Sequence, residues 1–158
     1  MSKPELINGG VASDDRGFLM FSNDFDPVKE GIRRVYIINN INDKVVRAFH
    51  GHLEESKYIM VLKGTVKFVL TEMMQQETPV PGKFDYALDS GDSTEYNLSD
   101  KVPRILKVPA GWANGMKSLT NDSVIIVFSN RTLDESKDDD IRFDWDELGE
   151  KIWETKNR

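Results

Sequence analysis

The sequence predicts an all-β protein, a jelly-roll barrel finished by a short C-terminal helix. Three observations carry that expectation. Strand-like runs are short and frequent, turn residues bound most of them, and only the last part of the chain changes to helical spacing. With 158 residues the chain can build one substantial core, so a single domain over residues 1–158 is expected.

The runs rich in Val, Ile, Tyr and Phe are GIRRVYIINN (31–40), KVVRAFHGH (44–52), KYIMVLKG (57–64), TVKFVLTEM (65–73), VPRILKVPA (102–110) and SVIIVFSN (123–130). TVKFVL alternates, with Val66, Phe68 and Leu70 on one face. DSVIIVFS is a more continuous apolar run, as in a strand buried on both sides. The LKG before TVKFVL reads as a tight turn between two antiparallel strands. Residues 75–93 are polar and hold Pro79, Pro81, Gly82 and Gly91, which gives a surface loop or an extended hairpin. From Trp145 to Trp153 the apolar spacing fits an amphipathic helix, with Asp144 as N-cap and Glu147 three residues on. Trp145 and Trp153 would pack this helix on the barrel. The run Asp138 to Asp140 reads as a solvated turn.

Composition narrows the function. Apolar residues make up 39%, and no apolar run approaches the roughly 20 residues of a membrane span, so no membrane association is expected. The opening MSKPELINGG has no apolar stretch of the signal-peptide kind. There is no cysteine, which fits a cytoplasmic protein and removes disulfides, thiolate metal sites and cysteine nucleophiles. A net charge of -6 with no basic block argues against nucleic-acid binding.

Chemistry concentrates in VVRAFHGHLEESKYIMVLKG, which holds both histidines of the chain, His50 and His52. Two residues apart on a strand, they share a face, and Arg47 points the other way unless a bulge at Gly51 intervenes. One use of the pair is none at all: half-exposed side chains on a sheet. A second is metal binding, with Glu54 or Glu55 as the carboxylate. That use lacks the later histidine, because Asn114, a weak ligand, occupies the matching late strand. A third is proton transfer. A neutral imidazole can take a proton from a carbon beside a carbonyl, and a cation such as Lys57 can hold the enolate oxygen. Without the other features, Lys57 is an ordinary strand-edge lysine, and Arg16 and Arg47 are ordinary surface ion-pair partners. Tyr58 and Phe49 read as core, and Trp112, after a Pro-Ala-Gly turn, as a residue that could close a pocket.

Four segments resemble the cupin-fold enzymes acting on 4-keto-6-deoxy nucleotide sugars, namely the dTDP-4-dehydrorhamnose 3,5-epimerase group and the related sugar 3,4-ketoisomerases. ASDDRGFLMF is similar to their N-terminal Asp-x-Arg-Gly signature, and VVRAFHGHLEESKYIMVLKGTVKFVL to the Arg-Gly-x-His block, the lysine and the Gly-led strand. ILKVPAGWANGMKSLTNDSVIIVFSN is similar to the Val-Pro-Ala-Gly block and its strand, and LDESKDDDIRFDWDEL to the closing Ile-Arg segment. Together they span roughly residues 8 to 150. The resemblance implies a cupin jelly roll, usually a homodimer, in which one subunit's N-terminal strands reach toward the other's pocket.

It implies, too, that His50 is the base, that Lys57 steadies the enolate, and that Arg16 and Arg47 lie near the nucleotide diphosphate, a role bidentate guanidinium recognition suits. Asn114 would face the sugar. The implied function is metal-independent epimerisation at C3, or at C3 and C5, in deoxysugar or surface polysaccharide biosynthesis, with no cofactor. The departures matter. After VIIVFSN the epimerases carry a tyrosine acid, and here the chain reads RTLDES, with Thr132 and Leu133. The C-terminal aspartate that orients the base in many epimerases has no clear match. Tyr36, His52 or water is left to return the proton. His-x-His and RRVYIINN resemble the ketoisomerases, so 3,4-ketoisomerisation is the alternative, and a non-catalytic cupin that binds a nucleotide sugar is the second.

Overall fold

The computed structural model describes residues 2–158, which form thirteen strands, one α-helix and one short 3-10 helix. Two antiparallel sheets face each other. The first has the order β1 (Glu5–Asn8), β10 (Arg104–Val108), β6 (Lys57–Lys63), β12 (Ser123–Ser129), β4 (Arg34–Asn40). The second has the order β13 (Ile141–Arg142), β5 (Val46–Gly51), β11 (Trp112–Ser118), β7 (Thr65–Glu77), β8 (Phe84–Leu88), and β9 (Thr94–Ser99) pairs with the first half of β7. A separate hairpin joins β2 (Gly10–Asp14) to β3 (Gly17–Phe21). This is the expected all-β, barrel-like jelly roll.

Alternation builds the core. Val66, Phe68 and Leu70 of β7 point between the sheets and meet Ile59, Val61, Leu106, Ile125 and Val127 of the first sheet. Each such side chain, fully buried, contributes roughly 1.5–3 kcal/mol. The more continuous runs have both faces covered. Behind the first sheet, Tyr58, Met60 and Ile105 lie under Ile7, Met20, Phe25 and Ile32 from the N-terminal segment. Behind the second, Phe49, Val69 and Met73 cluster with Trp153 and lie under Phe143, Leu148 and Ile152.

Two expectations are corrected. The LKG turn is tight, with Gly64 at φ +83°, but β6 and β7 do not pair: they belong to opposite sheets. The backbone groups of the turn bond outward instead, Gly64 N to Asp100 Oδ2 and Thr65 N to Thr120 Oγ1, both at 2.9 Å. The Trp145–Trp153 helix does not form. Gly149, at φ +85°, interrupts it and leaves a 3-10 turn over Glu150–Trp153. The α-helix is α1, Leu133–Asp138, opened by a Thr132/Glu135 capping box. Residues 75–93 resolve into the extended hairpin of β7 and β8. No helix among the described residues is long and apolar enough to cross a membrane.

Candidate active site

Register sets the two walls of a cleft between the sheets. In the first sheet Tyr36 pairs with Val127, which pairs with Ile59; two residues along, Arg34 pairs with Ser129, which pairs with Lys57. Facing them, His50 pairs with Asn114 and Arg47 with Met116. Between His50 and Arg47, β5 advances three residues while β11 advances two. The extra residue is a bulge at Ala48 and Phe49, not at Gly51, and it turns Arg47 to the same side as His50. The expected opposite orientation of Arg47 is therefore overturned.

His50, Lys57 and Tyr36 form a waist between two adjoining cavities. One, of about 220 Å³, is otherwise lined by Ile38, Arg47, Ile59, Asn114, Met116 and Val127. The other, of about 550 Å³, adds Arg34, His52, Leu133, Ser136, Lys137, Asp140 and Arg142.

The His50 side chain is 39% exposed, and its Nδ1 lies 3.4 Å from Asp140 Oδ1. A proton held on Nδ1 by the carboxylate leaves Nε2 as the basic atom. Burial pushes the imidazole below its usual pKa, against the pull of Asp140, so His50 is neutral at pH 7. Asp140 is itself gripped by Arg142 Nε at 2.7 Å. It arrives here because the next two residues form β13, which pairs Arg142 with His50 and Ile141 with Gly51. Asp140, which sequence reasoning did not single out, is therefore the carboxylate that stands beside the His50 imidazole.

His52 lies past the end of β5, so the two histidines do not share a strand face as expected. Its side chain is only 6% exposed, with Nε2 3.1 Å from Glu55 Oε2. Nδ1 is buried without a hydrogen-bond partner, and Asp139 Oδ2 stands 3.8 Å away. Asp139 accepts from the backbone amides of Leu53, Glu54 and Glu55 at 2.9, 2.9 and 3.2 Å, which fixes the loop after β5. The acidic run is therefore not a solvated turn: only Asp138 is exposed. Glu55, missed by sequence reasoning except as a metal ligand, is buried beneath the site. It accepts from Arg34 Nη2 at 2.8 Å, Ser129 Oγ at 2.5 Å and Ser136 Oγ at 2.8 Å.

Lys57 is buried, and desolvation pulls its ammonium below the usual lysine range, with Glu55 and Asp140 opposing. Burial and the charge of Glu55 push the Tyr36 phenol up to about 12, so it stays protonated. Asn114 lines the smaller cavity and donates to the His50 carbonyl at 3.0 Å. Arg47 donates Nε to Asn40 Oδ1 at 2.8 Å and has no carboxylate partner among the described residues, leaving its outer N–H groups for an anion. Two expected residues lie elsewhere. Trp112 packs in the core between the sheets, its indole N–H donating to the Ser2 carbonyl at 3.1 Å, because inward alternation of β11 buries it. Arg16 sits on the turn of the β2–β3 hairpin, paired with Asp14, and lines neither cavity. No group of three or more His, Asp or Glu placed to hold a metal occurs among the described residues.

The fold is shared with solved enzymes. A dTDP-4-dehydrorhamnose 3,5-epimerase from Bacillus anthracis, with TDP and PPi bound, superposes with a TM-score of 0.66 at 21% identity, over 90% of this chain and 79% of that one. The TDP-quinovose 3,4-ketoisomerase from Campylobacter jejuni gives a TM-score of 0.64 at 18% identity, over 94% and 98%. A sugar 3,4-ketoisomerase from Thermoanaerobacterium thermosaccharolyticum in complex with TDP gives 0.62 at 23%, over 89% and 88%. Among proteins with curated descriptions, none matches the chain. In sequence, residues 3–81 match the pattern of one family, and by that match the chain belongs to the FdtA family, described as WxcM-like, C-terminal.

Proposed function

We propose that this protein is an isomerase of 4-keto-6-deoxy nucleotide sugars, and specifically an epimerase at C3. The observation that carries the reading is the placement of His50 on one wall of the cleft, with Tyr36 and Lys57 on the facing wall. A sugar ring between the walls would present one face to each. Neutral His50 takes the C3 proton through Nε2, and the Lys57 ammonium donates to the C4 oxygen as it becomes an enolate. Tyr36 then returns a proton to C3 from the opposite face. His50 has gained one proton and Tyr36 has lost one, and exchange with water resets both. Arg47 serves the diphosphate.

A homodimer completes the proposal. The β2–β3 hairpin carries Arg16 away from its own chain's cleft and leaves Phe18 and Leu19 71% and 64% exposed, a surface suited to a second copy. The ketoisomerase is the second reading. His52 lines the larger cavity beside His50 and has an unpartnered Nδ1, so it could carry a proton between C3 and C4.

NMR in deuterium oxide with 4-keto-6-deoxy dTDP- and GDP-sugars tests both. Deuterium at C3 with the C4 ketone retained is the expected result. A new C3 ketone would establish the ketoisomerase. Absence of exchange with every such sugar would leave only a binding protein.

A further inference from the structure

A buried carboxylate beneath the cleft gathers five polar neighbours, and the mechanism above leaves it idle. Glu55 is 2% exposed, and its oxygens collect Arg34, Ser129, Ser136 and His52. These four come from β4, β12, α1 and the loop after β5. The fifth neighbour is Lys57, whose Nζ stands 3.9 Å from Glu55 Oε2. That separation is too long for a hydrogen bond but short enough for attraction between two side chains that are 11% and 0% exposed. A buried ammonium without a negative neighbour loses its proton, and a mobile carboxylate would close onto the ammonium and occupy its N–H groups. Here the two serine hydroxyls and the Arg34 guanidinium hold the carboxylate back.

We propose that Glu55 is a positioning residue: its fixed negative charge keeps Lys57 an ammonium while leaving the Lys57 N–H groups free for the substrate oxygen. This rests on the reading of Lys57 as the enolate's partner. The charged and titratable groups facing the pair are Arg34 and Tyr36 from β4, His50 from β5, His52 from the loop, and Asp139 and Asp140 after α1. Burial raises the Glu55 carboxyl, but Lys57, Ser129, Ser136 and His52 together pull it below its ordinary value, so it remains charged.

Glu55→Gln keeps the shape and removes the charge. With lysine Nζ labelled by 15N and the Lys57 signal assigned by its loss in Lys57→Met, Lys57 is expected to titrate at lower pH in Glu55→Gln than in the wild type. An unchanged titration overturns the proposal. If Glu55→Gln does not fold, Glu55→Asp draws the charge back by one methylene; a smaller downward displacement is then expected, and none overturns it. In the deuterium exchange assay kcat should fall about tenfold or more at pH 8 with KM little changed, and the alkaline limb should move down in pH. A purely structural glutamate would leave that limb in place. The NMR titration needs no substrate, so a protein inactive on all 4-keto sugars would refute the proposed function without deciding the role of Glu55.

Discussion

The end of β5 at His50 and the loop that starts at His52 are two residues apart and differ in almost every physical respect. His50 stands at the waist of the cleft, with Asp140 behind it. His52 is tucked against Glu55 in a loop fixed by Asp139. Adjacent acids after α1 therefore meet the two histidine positions differently, Asp140 beside the His50 imidazole and Asp139 on the backbone amides that follow His52. The difference teaches that chain spacing does not assign surroundings here: a strand end and a three-amide clasp divide a His-x-His pair into a half-exposed imidazole in the cleft and a buried one.

Removing the His50 imidazole, the proposed base, should break the comparison most severely. His50→Ala is expected to lower C3 deuterium exchange by about 10²–10⁴-fold, read by NMR with the fold checked by circular dichroism. Exchange at the wild-type rate would move the base elsewhere. Asp140→Asn comes next, with a fall in kcat of about tenfold. Its signature is the pH profile. Asp140 raises the His50 pKa against burial, so its removal lowers that pKa further and moves the acid limb of kcat/KM to lower pH. An unmoved limb would reduce Asp140 to a support of β13.

How much of this was legible follows from distance along the chain. Residues 47 to 57 announce themselves within one segment: Arg47, His50 and Lys57 all reach the cleft. The alternation of Val66, Phe68 and Leu70 likewise gave the core face of β7. Asp140 was illegible because it reaches His50 only through the pairing of β13 with β5, about ninety residues away in sequence. Glu55 lies inside the motif, yet its role depends on Arg34, Ser129 and Ser136 brought from three other elements. The bulge at Ala48 and Phe49 exists only against the register of β11. The helix at Leu133–Asp138 has a local signal in the sequence, Thr132 followed three residues later by Glu135 as a capping box.

His52→Gln sharpens the comparison at smaller amplitude. In the epimerase reading His52 supports, so exchange falls less than about tenfold; a loss beyond about a hundredfold would assign the proton relay to His52 and favour ketoisomerisation. Stability gives a second readout. Burial lowers the folded-state pKa of both histidines from 6.5, so the unfolded chain takes up protons first. Their contribution is intact above about pH 6.5 and is lost as pH falls below it. The Tm of the wild type therefore drops on acidification, and His52→Gln should flatten that drop. Equal slopes would mean that His52 is not held neutral by the fold.

The smallest effect comes from the helix that delivers both acids. Thr132 accepts from Glu135 N at 3.4 Å, and the Glu135 carboxylate accepts in return from Thr132 N at 2.8 Å. Thr132→Ala removes the first bond and spares the second. The Tm should fall by about 2–4 °C, measured by thermal melting, with exchange changed less than twofold because β13 still fixes Asp140 beside His50. The Thr132 amide and Arg33 hold the Glu135 carboxyl at about 2, so it stays ionised through the range where the histidines charge. The Tm loss of Thr132→Ala should therefore be the same at pH 8 and pH 5.5, whereas that of His52→Gln should depend on pH. A pH-dependent Thr132→Ala would mean that loosening α1 releases Asp139 and Asp140 from the histidines they serve, and the two regions would then stand or fall together.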